Sequence, residues 1–272
     1  MPVEPAGGQS KAVKNLPKLT RLMFMLLEGA GINTLDDKFP YDRHPNETFK
    51  FAKTIPLYPG ASITIADYLS TVNQPSHYYA LIARLKADNR LAETGNRKQG
   101  FVLSLANSFD DKSVTLTCGL ELEVVGTIAA PTRVPTGPYW CLLLIGEQKD
   151  GSNYFEALRA SIWPAYTEKT PFVVDSQPER DTLKLLISWK MYWREKGEHY
   201  VISKPIDFSS HIRPDFLVTD PESGKNVVIE TMGSKEQSYL DKKVEMHQLM
   251  TTRFGKVVEH RQGDDVLTFK KA

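Results

Sequence analysis

Residues 213–230 constrain the fold of this chain more than any other stretch. Arg213-Pro214-Asp215-Phe216-Leu217-Val218 leads into a turn, Asp220-Pro221-Glu222-Ser223-Gly224, and the chain returns through Val227-Val228-Ile229-Glu230. Two apolar runs rich in β-branched residues, separated by Pro and Gly, read as a β-hairpin. Each run carries one acid, and Asp215 and Glu230 are equidistant from the centre of the turn. In a regular hairpin they stand opposite one another on one face, with Cβ atoms about 4.5–5.5 Å apart, where like charges repel. A hard cation between the carboxylates would relieve that repulsion. Mg²⁺ binds through one or two carboxylates and completes its shell with water and substrate phosphate. Asp215 and Glu230 are therefore a candidate Mg²⁺ (or Mn²⁺) site for phosphodiester chemistry. A Pro-Asp step before a strand and a Glu near a strand end are also ordinary structural features, and at this level both readings stand.

Gly233 ends the second run, and a helical segment follows in which Tyr239, Lys243, Met246 and Met250 share one stripe. Lys242 falls with Ser238 and Glu245 on the solvated side. A lysine on an apolar stripe either snorkels to solvent or, here, reaches the carboxylates, where it could orient a water and stabilise charge in a transition state. Upstream, Ser176-Gln177-Pro178-Glu179 opens a helix that runs through Leu183, Leu186, Ile187, Trp189 and Trp193. Ser176 with Glu179 fits a capping box and Pro178 fits the first turn, a structural role that accounts for Glu179 by itself. The expected order is a helix with Glu179, a strand over 200–204, a strand after Asp215, a strand ending near Glu230, a helix with Lys243, and a strand over 256–259.

With that order, and with Pro214-Asp215 followed by Glu230 on the next strand, residues 171–262 resemble the PD-(D/E)xK nuclease superfamily. Its core is helix, three strands, helix, strand. The resemblance implies that Glu179 is the helix acid, Asp215 and Glu230 are metal ligands, Thr231 gives a main-chain carbonyl to the metal, and Lys243 is the general catalyst. It also implies Mg²⁺ or Mn²⁺ as cofactor and DNA as substrate. In that family a lysine usually stands two residues after the second acid, a place held here by Met232. Two functions follow. If the lysine has moved to the next helix as Lys243, the chain is a metal-dependent DNA endonuclease or a nuclease subunit; otherwise it is a non-catalytic nucleic-acid-binding subunit that retains the fold. Leu22-Met23-Phe24-Met25-Leu26-Leu27-Glu28-Gly29-Ala30-Gly31-Ile32-Asn33, taken with Val173-Val174-Asp175-Ser176, is similar to an uncharacterised family of proteins carried on bacterial plasmids and conjugative elements. That resemblance implies a mobile-element setting. The expected partners are DNA and other protein subunits of a nucleoprotein complex.

A net charge of +1 over 272 residues gives no bulk electrostatic footprint for DNA, so a DNA surface must be a local patch. Arg84, Lys86, Arg90, Arg97 and Lys98 form one cluster, and Lys204 and Arg213 belong to a second. Such clusters are either solvated faces or phosphate contacts. The only cysteines, Cys118 and Cys141, exclude a Cys-rich zinc site and a disulfide framework. No apolar run approaches the roughly 20 residues of a membrane span, and the start, with Glu4 and no cleavage pattern, does not read as a signal peptide. A cytoplasmic setting without membrane contact is expected. The expected organisation is a flexible tail over 1–14 and an α+β N-terminal domain over 15–150. A junction over 151–170 precedes an α/β restriction-endonuclease-like core over 171–272. Within the N-terminal domain, helices are expected at 16–29, around 63–69 and at 77–86, with loop over 36–59. An antiparallel sheet is expected from 101–105, 114–118, 120–125 and 139–145.

Overall fold

The computed structural model describes residues 16–37, 44–93, 97–132, 135–148, 153–206, 212–234 and 236–261. The expected tail over 1–14 lies outside them. The chain divides into two compact units, one comprising Pro17–Ile32 and Pro40–Asp175, the other combining residues from Ser176 onward with a short piece that begins at Asn33.

In the N-terminal unit, α1 (Lys18–Gly29) buries Met23, Phe24, Leu26 and Leu27, the i, i+3, i+4 spacing of one helical face. After β1 (Thr34–Leu35), which belongs to the other unit, α2 (His44–Ala52) occupies part of the stretch expected as loop. The helix expected around 63–69 is only a 3₁₀ turn, Ile65–Tyr68, opened by a Thr64–Asp67 capping box. The chain then becomes β2 (Leu69–Val72), which pairs parallel with β3. Residues Leu69 and Val72 are buried at its two ends, so packing prevails over the short helical pattern. Next come α3 (Pro75–Ala87), α4 (Arg90–Glu93), β3 (Gln99–Phe109), β4 (Ser113–Leu116), β5 (Glu121–Glu123), β6 (Ile128–Ala129), β7 (Tyr139–Glu147) and β8 (Phe155–Pro164).

The strands run in the order β5-β4-β3-β7-β8-β6, with β2 also on β3. The sheet is mixed rather than purely antiparallel, because β2 joins β3 and β6 joins β8 in parallel. β8 crosses the stretch expected as a junction and pairs with β7 from Tyr139↔Pro164 to Glu147↔Phe155. Its polar Glu156, Arg159 and Ser161 interrupt the apolar pattern that identifies a buried strand in sequence. Both faces of β7 are covered. Tyr78, Leu81 and Leu85 of α3 pack in one cluster with Cys141, Leu143 and Ile145. On the other face Phe24 meets the Trp163 ring edge-on at 4.8 Å, and Ser161 Oγ donates to Thr20 Oγ1 at 2.9 Å.

The C-terminal unit is a five-stranded sheet in the order β1-β9-β10-β11-β12. Its further elements are α5 (Gln177–Glu195), β9 (Val201–Ser203), β10 (Phe216–Thr219), β11 (Asn226–Met232), α6 (Gln237–Phe254) and β12 (Lys256–Arg261). Helix, three strands, helix, strand is thus the order from Ser176 onward. α5 begins where Ser176 Oγ accepts from the Glu179 N–H at 3.3 Å. α6 carries the chain between the parallel neighbours β11 and β12, a connection that parallel pairing requires. The edge strand β1 comes from the N-terminal half and pairs Thr34↔Ser203 and Leu35↔Ile202. Asn33 fastens it by donating Nδ2–H to the Lys204 carbonyl at 2.6 Å, while the Lys204 N–H donates to the Asn33 carbonyl at 2.9 Å. Among the described residues no helix is long and apolar enough to cross a membrane.

Side chains alternate between the faces of a strand, so Glu230 and Met232 of β11 face one way and Ile229 and Thr231 the other. α5 lies on the Thr231 side, where the buried Thr182 Oγ1 is 2.9 Å from Thr231 Oγ1 and 2.7 Å from His260 Nδ1. α6 lies on the Glu230 side. The turn from α6 into β12 depends on Gly255, whose φ is +119° and whose added Cβ would stand 2.6 Å from the Asn226 carbonyl oxygen. Gly255→Ala should therefore cost about 1–3 kcal/mol, read as a lower urea midpoint at constant m-value. An unchanged midpoint would show that this joint tolerates a side chain.

Candidate functional site

The hairpin register puts Phe216 opposite Ile229, Leu217 opposite Val228 and Val218 opposite Val227. Continuing it by one residue sets Asp215 opposite Glu230. The two acids are stitched through the backbone: the Asp215 N–H donates to Glu230 Oε1 at 2.9 Å, and the Thr231 N–H donates to Asp215 Oδ2 at 2.8 Å. Each carboxylate is thereby fixed in orientation at one end of the hairpin. Glu230 is nearly sealed from solvent, at 1 % side-chain exposure.

From α6, the Lys243 ammonium donates to Glu230 Oε2. Lys242, one residue away, is exposed. Met250 on the same stripe is buried, and the Tyr239 ring centroid lies 5.9 Å from Lys243 Nζ. Met232 fills the place two residues after Glu230 and is 6 % exposed, so α6 brings a positive charge to the carboxylate that the strand itself does not supply. Burial, then the charge of Asp215, push Glu230 above its ordinary carboxylate value, with Lys243 offsetting part of the effect. Burial works against the Lys243 charge, yet Asp215 and Glu230 outweigh it and hold the ammonium above its usual value.

Glu179 does not join this group. Its Oε2 takes a hydrogen bond from Lys204 Nζ at 2.6 Å, and the two side chains are 7 % and 1 % exposed. Lys204 Nζ also lies 5.5 Å from the centroid of the Phe216 ring, which shares the face of Ile229 and Thr231. The expected helix acid thus sits on the α5 side of the sheet, and Lys204, expected in a phosphate-binding patch, is buried and occupied by Glu179. Burial, which a one-dimensional cluster of charges does not show, is the reason for that correction. Thr231, expected to offer its carbonyl, uses its N–H on Asp215 and its hydroxyl on Thr182.

The other expected phosphate contacts divide. Arg90 bonds Asp88 at 2.7 Å and Asp67 at 3.3 Å, so its charge is matched within its own unit. Arg84 Nη2 donates to the Leu69 carbonyl at 3.0 Å and Lys98 Nζ to the Lys86 carbonyl at 2.8 Å. Lys86 and Arg97 are exposed, and Arg213 is half-buried beside Pro214.

Sequence reasoning passed over His247. It stands one turn after Lys243 on α6, with Nε2 3.9 Å from Glu230 Oε2 and Nδ1 3.5 Å from Glu259 Oε1. The i, i+4 spacing from Lys243 was the signal that could have found it. Burial holds its pKa below the ordinary imidazole value, the Lys243 charge adding to this and Glu259 opposing it.

Two facing carboxylates are hard oxygen donors, and they fit Mg²⁺ or Mn²⁺ completed by water and phosphate. Among the described residues no three His, Cys, Asp or Glu side chains form a ready-made cage, so the arrangement does not fit a structural zinc centre.

Residues 175–267 match the model described as restriction endonuclease-like C-terminal domain. The C-terminal part carries a domain of that type, consistent with a PD-(D/E)xK-like nuclease, and it points to a nuclease-type function. Residues 2–165, more than half of the chain, match the domain of unknown function DUF8535, and the chain belongs to that family. No curated protein and no solved structure matches the chain.

Proposed function

We propose that this chain is a metal-dependent DNA endonuclease, acting alone or as the nuclease subunit of a larger assembly on a mobile genetic element. The observation that carries the reading is the meeting of Asp215, Glu230 and Lys243 at the end of the β10–β11 hairpin. Asp215 and Glu230 would hold Mg²⁺ or Mn²⁺ together with the Thr231 carbonyl; a bound ion lowers the pKa of water and polarises a phosphate. Lys243 positions the attacking water and stabilises the charge that grows on the phosphate oxygens. In the reaction the water oxygen bonds to phosphorus and the bond from phosphorus to the leaving sugar oxygen breaks. One water proton passes to solvent, and the leaving oxygen takes up another. Arg213, two residues before Asp215, is assigned a phosphate contact, as are Lys86 and Arg97 on the N-terminal unit.

The ammonium on Glu230 favours this reading over a non-catalytic scaffold. A lysine two residues after the acid and Lys243 on the helix deliver the same charge to the same carboxylate, so Met232 does not by itself remove the chemistry.

The test is metal-dependent stability together with cleavage. Millimolar Mn²⁺ should raise the melting temperature, because a ligand of the native state alone stabilises it by mass action, by about 2.7 kcal/mol at one hundred times the dissociation constant. Asp215→Asn should abolish that increment and the cleavage of supercoiled DNA while leaving DNA binding in place. The increment should shrink as pH is lowered, because burial and Asp215 raise the affinity of Glu230 for the proton that competes with the ion. An equal metal response in wild type and Asp215→Asn would put the ion elsewhere.

A further inference from the structure

Tyr154 and Tyr79 are the two most exposed aromatic side chains among the described residues, at 61 % and 60 %. Single exposed rings are ordinary on a protein surface, but these two flank one buried residue. The Tyr78 and Tyr79 rings meet edge-on with centroids 5.5 Å apart. Burial raises the Tyr78 phenol above its ordinary value, and the neighbouring Tyr154 and Tyr79 phenols add to the rise. Tyr78 shares the core cluster with Phe155. The residue next to each of them in sequence, Tyr79 on α3 and Tyr154 at the start of β8, emerges to solvent, and the two rings stand close together on the N-terminal unit.

Positive charge gathers beside them. Seven residues of α3, close to two full turns, separate Tyr79 from Lys86, so the two share a face about 10 Å apart along the axis. The Lys98 ammonium donates to the Lys86 carbonyl at 2.8 Å at the end of that helix. The Lys98 carbonyl in turn accepts from the Glu147 N–H at 3.0 Å, and the Tyr154 carbonyl from the Gln148 N–H at 2.9 Å. Lys98 and Tyr154 therefore lie at one end of the sheet, two strand spacings or about 10 Å apart. Lys86 and Arg97 are exposed. The acids at this end, Glu147 and Glu156, are half-buried, and Glu156 Oε2 accepts from Gln148 Nε2 at 2.7 Å. The charge shown to solvent beside the two rings is mainly positive.

Two open rings among cations suit a polynucleotide whose bases are unpaired, because every base has a π-face that an aromatic side chain can cover. A duplex, whose bases cover one another, offers the rings nothing. We propose that this face of the N-terminal unit binds single-stranded DNA, with Tyr79 and Tyr154 each stacking on an unpaired base while Lys86, Arg97 and Lys98 neutralise phosphates. The site takes up the phosphate contacts assigned to Lys86 and Arg97 and adds a preference for the single strand, which does not depend on the nuclease reading of the C-terminal unit. Stacking tolerates any base, so binding is indifferent to sequence.

The test is fluorescence anisotropy of the full-length chain in EDTA, with labelled oligo(dT) of about 15 nucleotides, the upper end of single-strand site sizes, and a duplex of equal length. Tyr79→Ala and Tyr154→Ala should each weaken oligo(dT) binding by about fivefold to a hundredfold, the scale of one lost stacked base. Affinity for the duplex, which rests on phosphate contacts, should stay within about twofold. The Tyr79→Phe and Tyr154→Phe variants keep the ring and should bind oligo(dT) as wild type does. Lys86→Gln should weaken both nucleic acids and reduce the log–log salt slope for the single strand by about 0.7. Both tyrosines are at the surface, so the melting temperature should not change; if alanine lowers it, Tyr79→Leu and Tyr154→Leu, apolar but without a ring, repeat the measurement. Wild-type oligo(dT) affinity in either ringless variant overturns the proposal, as does an equal loss on single strand and duplex, or a wild type that binds no oligo(dT). Unlabelled oligo(U) that competes better than oligo(dT) would make this an RNA site and overturn the assignment to DNA. Neither metal nor cleavage enters the measurement, so failure here leaves the reading of Asp215, Glu230 and Lys243 standing. A wild type that binds oligo(dT) through the tyrosines and never cuts sinks that reading alone.

Discussion

Lys204→Met should destabilise the C-terminal unit by about 3–5 kcal/mol, the usual cost of removing one partner from a buried ion pair. Glu179 would be left charged at 7 % exposure without the ammonium that faces it. Glu179→Gln should cost less, because its amide oxygen still accepts from the Lys204 ammonium, although that buried charge then lacks its counter-ion. The double variant Glu179→Leu with Lys204→Met should recover most of the loss, since apolar residues of similar volume often replace a buried ion pair at no net cost. Urea denaturation of wild type, Lys204→Met, Glu179→Leu and the double variant forms a double-mutant cycle with a coupling well above 1 kcal/mol. The variants also decide what Glu179 does. If it were a metal-side acid, Glu179→Gln would lose cleavage at unchanged stability; as a packing partner of Lys204 it should lose stability and keep cleavage in the folded fraction. Additive single-variant effects would mean that the pair does not hold α5 to β9.

The parts of this site that were legible in sequence are those fixed by local geometry. Asp215 and Glu230 face each other because the 220–224 turn is symmetric about them and the hairpin stays in register from Phe216↔Ile229 to Thr219↔Asn226. Lys243 faces Glu230 because the apolar stripe of α6 sets its phase. The capping of α5 by Ser176 was equally local. What could not be read depends on pairings distant in sequence. Lys204 looks like any other basic residue until Glu179, a helix away, and Asn33, from the other half of the chain, are brought to it. β1 has only two residues and no periodicity to announce it. β8 carries Glu156, Arg159 and Ser161 among its apolar residues, so its pattern resembles a linker, although it pairs with β7 on one edge and β6 on the other. His247 carries no apolar periodicity to mark it; its signal in the sequence is the i, i+4 spacing from Lys243.

Lys243→Ala should reduce DNA cleavage by about two to three orders of magnitude, as loss of a positioned charge-stabilising group commonly does, and Lys242→Ala should leave turnover nearly unchanged. Successive residues on a helix are about 100° apart, so the two lysines cannot share a target, and only Lys243 reaches Glu230. Metal binding should respond in the opposite sense. The Lys243 ammonium stands on the carboxylate that a cation would use and repels that cation, so its removal should strengthen the Mn²⁺ increment in melting temperature while cleavage falls. Tighter metal with slower chemistry separates a catalytic lysine from a structural one, because a lysine that only held α6 in place would lose stability and metal response together. Lys242→Ala should at most weaken DNA affinity in a salt-dependent way, as for one phosphate contact. If Lys242→Ala proved the damaging change, the phase of α6 in solution would differ by one residue from the contact seen here; normal cleavage in both variants would take lysine out of the mechanism.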